Sequence, residues 1–197
     1  MKDFEIRSAL KRRLSYHYSK DPSTRILDEL GLRHGAARID IVVINGLIHG
    51  FELKSDFDTL QRLPTQVNIY NSVLDQITLV VGHRHIKQAT SLIPEWWGIQ
   101  LVEPGVHGGV CFIEVRKPQE NIYQEILAVS KLLWREEALS LLEEAGKAEG
   151  VRSKPRLRIY EKLIETVEAD LIRCRVRQQL RTRMNWRSAE QHTLNDG

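Results

Sequence analysis

Three charged residues, Asp40, Glu52 and Lys54, sit in otherwise apolar, β-branched sequence: Arg38-Ile39-Asp40-Ile41-Val42-Val43-Ile44, then Ile48 to Lys54. Charged side chains are rarely fully buried unless paired or bound to metal, so their place in a strand pair requires a chemical reason. Hydrolysis of a phosphodiester supplies one. That reaction must neutralise an anionic substrate, make a nucleophile of water and stabilise developing charge. Two carboxylates can hold Mg²⁺, which takes hard oxygen ligands and keeps several waters; Mn²⁺ is the expected substitute. Such a metal acts as Lewis acid and lowers the pKa of bound water. Strand side chains alternate with period two, so Lys54 shares a face with Glu52 and can orient the attacking water.

The turn between the strands decides whether the two carboxylates can meet. Asn45-Gly46 is the strongest short hairpin signal in the chain. A two-residue turn there pairs Ile44 with Leu47 and puts Asp40 and Glu52 on opposite faces. A shared metal needs Asp40 opposite Glu52. The site therefore predicts a three-residue connection, Asn45-Gly46-Leu47, or a bulge within the hairpin.

The elements around this hairpin follow from periodicity and punctuation. A helix is expected over 3–14, and Asp21-Pro22 reads as the cap of another from Ser23 to Leu30, stopped by Gly31. Strands 38–44 and 47–54 precede a helix over 59–74, which Pro64 would kink if it began at Asp58. A buried strand at 77–81, a helix over 86–93 and strands at 99–102 and 110–115 complete an α/β core of mixed sheet with flanking helices. From Asn121 long helices are expected, one over 121–145 and another from Pro155 to about Arg183. Leu157, Tyr160, Ile164, Val167, Leu171 and Cys174 form a heptad-spaced seam, covered either by the preceding helix or by a second subunit in a homodimer. The expected organisation is a core over 1–120, a basic helical extension over 121–187 and a flexible tail over 188–197.

Composition bounds the rest. The chain has 197 residues, 42% apolar and 28% charged, as in a globular protein. No apolar run approaches the roughly 20 residues of a membrane span, and the amino terminus has no signal-peptide core. Only Cys111 and Cys174 occur, outside any CxxC spacing, so a disulfide framework or zinc site is not expected and a reducing cytoplasm is. The net charge of +3 is unevenly spread: residues 150–187 hold 11 Lys/Arg against 4 Asp/Glu. A segregated basic segment suits a polyanion, and Arg152, Lys154, Arg156 and Arg158 are its candidate phosphate contacts; a solvated helix face is the plain alternative.

Asp40, Glu52 and Lys54 in this setting resemble the D…(D/E)xK signature of the PD-(D/E)XK nuclease superfamily. The string Glu52-Leu53-Lys54-Ser55-Asp56-Phe57-Asp58-Thr59-Leu60-Gln61-Arg62-Leu63-Pro64-Thr65-Gln66, with Tyr70, is similar to its bacterial and phage sce-type branch. Leu133-Trp134-Arg135 and Arg152-Ser153-Lys154-Pro155-Arg156 extend the likeness over most of the chain. The superfamily's proline is absent, Ile39 standing before Asp40. The resemblance implies a restriction-endonuclease-like αβββαβ core and a Mg²⁺-dependent nuclease acting on nucleic acid, with DNA the expected substrate. It also implies that Gln66 and Tyr70, a QxxxY pair as in RecB-type nucleases, position substrate and active site, and that Glu29 is an additional acid at the metal.

Arg62, Gln66 and Tyr70 lie at i, i+4 and i+8 and share one helix face, which is either a phosphate-binding face or an exposed polar stripe. Arg38 can bind a phosphate or pair with an acid. Asp58 reads as a helix cap and Asp56 as turn or site residue. His34, His83 and His85 lack a third ligand at zinc spacing, and Trp96-Trp97 reads as partial core. Two further hypotheses stand beside the nuclease: a catalytically silent DNA-binding or assembly module, and a helical dimerisation protein. The last leaves the embedded charges unexplained.

Overall fold

The computed structural model describes residues 1–33, 35–106 and 108–183. His34 and the expected tail at 188–197 lie outside them. The chain order is α1 (Asp3–His17), β1 (Arg25–Leu32), β2 (Ala37–Ile44), β3 (Ile48–Lys54), α2 (Leu63–Asn71), β4 (Gln76–Gly82), α3 (Ile86–Leu92), β5 (Gly98–Pro104), β6 (Val110–Arg116), α4 (Ile126–Ser130), α5 (Arg135–Glu144), α6 (Arg156–Thr166) and α7 (Ala169–Thr182). The strands form one sheet in sequence order. β1, β2 and β3 run antiparallel, β3, β4 and β5 parallel, and β6 antiparallel to β5. Helices flank both faces of this mixed sheet, as α/β architecture requires.

One face is covered by α1, whose Ile6, Leu10 and Leu14 pack on Ile41, Val43, Phe51, Leu53 and Val80. The other carries α2, α3 and the four C-terminal helices in one continuous apolar core centred on Tyr70, Leu74, Trp97, Tyr160 and Leu163. Trp96 and Trp97 are buried, as expected. Among the described residues no helix is long and apolar enough to cross a membrane.

Where the sequence suggests a helix over 23–30, the structure has a turn followed by the strand β1, Arg25–Leu32. Asp21 does not cap a helix; its carboxylate accepts hydrogen bonds from the Ser23 backbone (2.9 Å) and from the Ser23 and Thr24 hydroxyls, an Asx-type turn. The buried residues of β1 are Leu27, Leu30 and Leu32. The three-residue step from Leu27 to Leu30 imitates helical spacing because Glu29 has a left-handed backbone, φ +54°, which breaks the strand's alternation.

The long C-terminal helices are also interrupted. The expected helix over 121–145 is α4 and α5, and its first residues are held non-helical by Asn121, whose amide donates to the carbonyls of Asn71 (2.7 Å) and Leu74 (2.8 Å). The expected helix from 155 to 183 breaks at Val167, which is extended. The proposed seam is therefore not one strip. Leu157 is 50% and Leu171 47% exposed, while the buried line runs through Ile159, Tyr160, Leu163, Ile172, Val176 and Leu180 against the α2-side core. The preceding helices α4 and α5 cover it.

A polar clamp ties these helices to the sheet. Asp75, 6% exposed, accepts from Ile48 N–H (2.6 Å), Gln124 Nε2 (2.9 Å) and the Arg177 guanidinium (2.8 and 3.2 Å).

On the α1 side, His49 stacks on Phe51 with ring centroids 4.3 Å apart, and its Nε2 lies 2.9 Å from Thr78 Oγ1. Burial pushes the imidazole down from 6.5 to about 4. A base with a depressed folded pKa contributes stability that is complete above pH 6.5 and is lost as pH falls towards 4. The expected loss is at most about 3 kcal/mol, at roughly 1.4 kcal/mol per pKa unit, because an edge of the ring still reaches the surface. Urea unfolding from pH 7.5 to 4 should show this decline, and His49→Gln should flatten it.

Candidate functional site

The connection between β2 and β3 has three residues. Ile44 pairs with Ile48, and Gly46 takes φ +104° in the turn. This is the connection that the sequence predicts, and by the same register Asp40 falls opposite Glu52. The paired ladder ends one step earlier, at Ile41 and Phe51, where β2 leaves β3 for β1 alone. Ile39, Val42 and Ile44 pack into the α2-side core, while Ile41 and Val43 pack on the α1 side. The alternation of β2 thus breaks at Asp40, directly across from left-handed Glu29 in β1. Two irregularities in facing strands turn Asp40 into the fork between β2 and β3.

At the fork Asp40 Oδ2 accepts the Leu53 N–H (2.8 Å), which the departing strand leaves without a partner. Arg7 of α1 donates to Asp40 Oδ1 (2.7 Å) and to the Asp40 carbonyl (3.1 Å). No spacing rule points to Arg7. The available signal is its place beside the buried stripe Ile6, Leu10 and Leu14.

Glu52 is 1% exposed and collects three donors. Lys54 Nζ (2.6 Å) and Gln66 Nε2 (2.7 Å) reach Oε1; the Tyr70 hydroxyl (2.7 Å) reaches Oε2. The same hydroxyl lies 2.8 Å from the Arg38 carbonyl and 3.1 Å from Gln66 Nε2. Pro64 sits in the first turn of α2, and the helix then presents Gln66 and Tyr70 on one face toward β3. Burial and the nearby charge of Asp40 hold the Glu52 carboxyl above its usual range, against the opposing pull of Lys54 and Tyr70. Burial and Glu52 likewise raise the Tyr70 hydroxyl, which stays protonated. The Gln66 Oε1 is buried and has no hydrogen-bond partner among the described residues. In a protein interior such an acceptor costs free energy unless a further donor or cation arrives.

The other candidates lie further out. Glu29 is on a strand rather than at the end of a helix, is exposed, and pairs with Arg38 at 3.1 Å. Arg62 is exposed at the start of α2, one turn before Gln66. Arg152, Lys154, Arg156 and Arg158 are exposed on the α5–α6 loop and the first turn of α6; Arg152 pairs with Glu143 and Arg158 with Glu161. None of these hydrogen-bonds to the Glu52 cluster.

Asp58 holds the turn after β3, accepting from Ser55 N–H (2.7 Å) and Oγ (2.6 Å), and does not cap α2. Asp56 accepts from Arg84 N–H (3.1 Å). His83 contacts Glu103, and His85 Nε2 meets the Asp58 carbonyl at 2.9 Å. Among the described residues no group of three or more His, Cys, Asp or Glu side chains is placed to hold a metal. The site therefore offers two neighbouring carboxylates, an amide oxygen, a lysine and a tyrosine.

Residues 2–194 match the family model of bacteriophage P4 protein cII. Over 101 residues, 50% of this chain, the sequence is 27% identical to protein cII of Enterobacteria phage P4, and the aligned stretch covers 37% of that protein's length. No solved structure gives a significant match. The family match runs from α1 through the whole sheet to α7 and takes in Arg7, Asp40, Glu52, Lys54, Gln66 and Tyr70: the chain belongs to the bacteriophage P4 protein cII family.

Proposed function

We propose that this protein is a Mg²⁺-dependent nuclease of the PD-(D/E)XK type that hydrolyses phosphodiester bonds of DNA. The observation that carries the reading is buried Glu52, gathering Lys54, Gln66 and Tyr70 beside Asp40 at a strand fork. The order α1-β1-β2-β3-α2-β4, with β3 and β4 parallel across α2, supports the restriction-endonuclease-like core.

The residues fit a hard divalent cation. Two carboxylates close enough for one to raise the other's pKa are relieved by a cation between them, and the partnerless Gln66 oxygen is a further hard donor. Mg²⁺ needs no more from protein than one or two carboxylates, since waters and substrate phosphate complete its shell. Asp40 and Glu52 would hold it; Glu29, exposed and paired with Arg38, would join only through water. When bound, it supplies charge neutralisation and a more acidic water.

The protein's own groups do the rest. Lys54, held by Glu52, places a positive charge where the attacking water and the pentacovalent phosphorus carry negative charge. The water oxygen bonds to phosphorus as the P–O bond to the leaving sugar oxygen breaks; the water gives up a proton to solvent and the leaving oxygen takes one from it. Tyr70 and Gln66 fix the Glu52 carboxylate in orientation, and Arg62 and Arg38 offer cations to the flanking phosphates. The basic segment at Arg152, Lys154, Arg156 and Arg158 adds affinity through counterion release.

A catalytically silent DNA-binding module is the second reading. Arg7 favours it, because its guanidinium already takes the Asp40 oxygen that a metal would use. Purified full-length protein incubated with single- and double-stranded DNA, in Mg²⁺, Mn²⁺ or EDTA, separates the two. The nuclease reading expects cutting only with metal, and a thermal shift with metal alone, worth about 2.7 kcal/mol at a hundred times Kd. DNA binding in EDTA with neither cutting nor a metal-induced shift would establish the silent module.

A further inference from the structure

The last turns of α1 carry chemistry that the Glu52 site does not use. Residues 11–20, Lys-Arg-Arg-Leu-Ser-Tyr-His-Tyr-Ser-Lys, hold four cations, three aromatic rings counting His17, and no acid. Leu14 alone of these is buried, and Tyr16 is 84% exposed. Lys11 pairs with Asp28. The side chains of Arg12, Tyr16 and Lys20 have no hydrogen-bond or ion-pair partner among the described residues. Arg13 lies over the Phe112 ring, 5.2 Å from its centroid, and reaches Gln100 at 3.5 Å.

Beneath this segment is a half-open cavity of about 670 Å³, between α1 and the first residues of β3, β4 and β5. That volume lies within the roughly 300–1,000 Å³ of small-molecule sites. Its floor is the stacked His49–Phe51 pair with Thr78, and its far wall carries Gln100 and Glu114. Hydrogen-bonding groups thus line the interior together with Arg13 and Lys20, and exposed Arg12 lies one turn before Tyr16 on α1, outside the lining. The cavity is on the sheet face opposite Glu52 and Lys54, toward the other end of β3.

We propose that this groove binds single-stranded nucleic acid, taking an unpaired base into the cavity and the adjoining phosphates on Arg12, Arg13 and Lys20. Exposed aromatic rings interleaved with cations are what a splayed-out strand requires: bases stack on the rings and phosphates meet the charge. Gln100, Glu114 and Thr78 offer acceptors and donors to a base edge. A duplex keeps its bases stacked inside and has nothing to place in the cavity. The inference extends the nucleic-acid reading of the chain and rests on none of the cleavage residues.

Fluorescence anisotropy of a labelled twelve-residue oligothymidylate, with full-length protein in EDTA, tests it. The double variant Arg12→Ala, Tyr16→Ala changes only exposed side chains; an unchanged melting temperature verifies its fold. Expected are affinity roughly ten- to hundredfold weaker than wild type and a salt slope lower by about 0.7 for the lost cation. The matched duplex should bind more weakly than the single strand, and thymidine monophosphate should compete only at far higher concentration. Equal binding by wild type and double variant, preference for duplex, or competition by the mononucleotide at oligonucleotide concentrations each overturns the proposal. If cleavage is absent but this binding is present and lost in the variant, only the nuclease reading falls. If cleavage is present but binding ignores both substitutions, only this one does.

Discussion

Lys54→Ala is expected to lower metal-dependent DNA cleavage by about 10²- to 10³-fold, the usual cost of removing one preorganised charge from a transition state. The loss should appear in kcat with KM little changed, since Lys54 is only 6% exposed and is held by Glu52 rather than presented to bulk substrate. Asp40→Ala should be at least as damaging, because it removes one of the two proposed metal ligands and also leaves Leu53 N–H and the Arg7 guanidinium without their acceptor. Single-turnover digestion of an end-labelled duplex reads both. Lys54→Ala cutting at the wild-type rate would end the claim that this lysine serves the reaction. A parallel melt separates lost chemistry from lost folding: Glu52 keeps Gln66 and Tyr70 when Lys54 is gone, so that variant should remain folded.

The second large effect concerns stability and lies away from the site. Asp75→Ala is expected to destabilise the fold by about 3–5 kcal/mol, the range for breaking a buried ion pair by removing one partner. The carboxylate joins three segments: the start of β3 through Ile48, the region before α4 through Gln124, and α7 through Arg177. Without it the Ile48 N–H and the Arg177 guanidinium lose their acceptor. The urea midpoint should fall, and α7 should gain hydrogen exchange ahead of the sheet. A change below about 1 kcal/mol, with α7 as protected as before, would show that apolar packing of Ile172, Val176 and Leu180 suffices to dock the helix.

Much of the site was legible because its logic is local. Asp40, Glu52 and Lys54 lie within one hairpin, Gln66 and Tyr70 within one helix, and the three-residue connection follows from requiring both carboxylates to meet. Strand and helix periods fix such relations over a few residues, and the structure has that connection and that shared helix face. The misreadings came from signals that fit two structures. Asp21-Pro22 and Gly31 can bracket a helix, but here Asp21 closes a turn that leads into a strand, and a heptad pattern over 157–174 continued across a break that periodicity does not register.

The sequence by itself determined which residues could form a carboxylate–lysine cluster and which turn would allow it. Only the tertiary structure decided what surrounds that cluster. Arg7 reaches Asp40 from 33 residues away, and Arg177 reaches Asp75 from 102. The fork at Asp40 needs irregularities in two strands at once, and the groove under Tyr16 needs α1 laid across three strand ends. Spacing constrains neighbours along the chain. Burial, charge pairing and cavity shape arise where distant segments pack, and no period in the sequence encodes them.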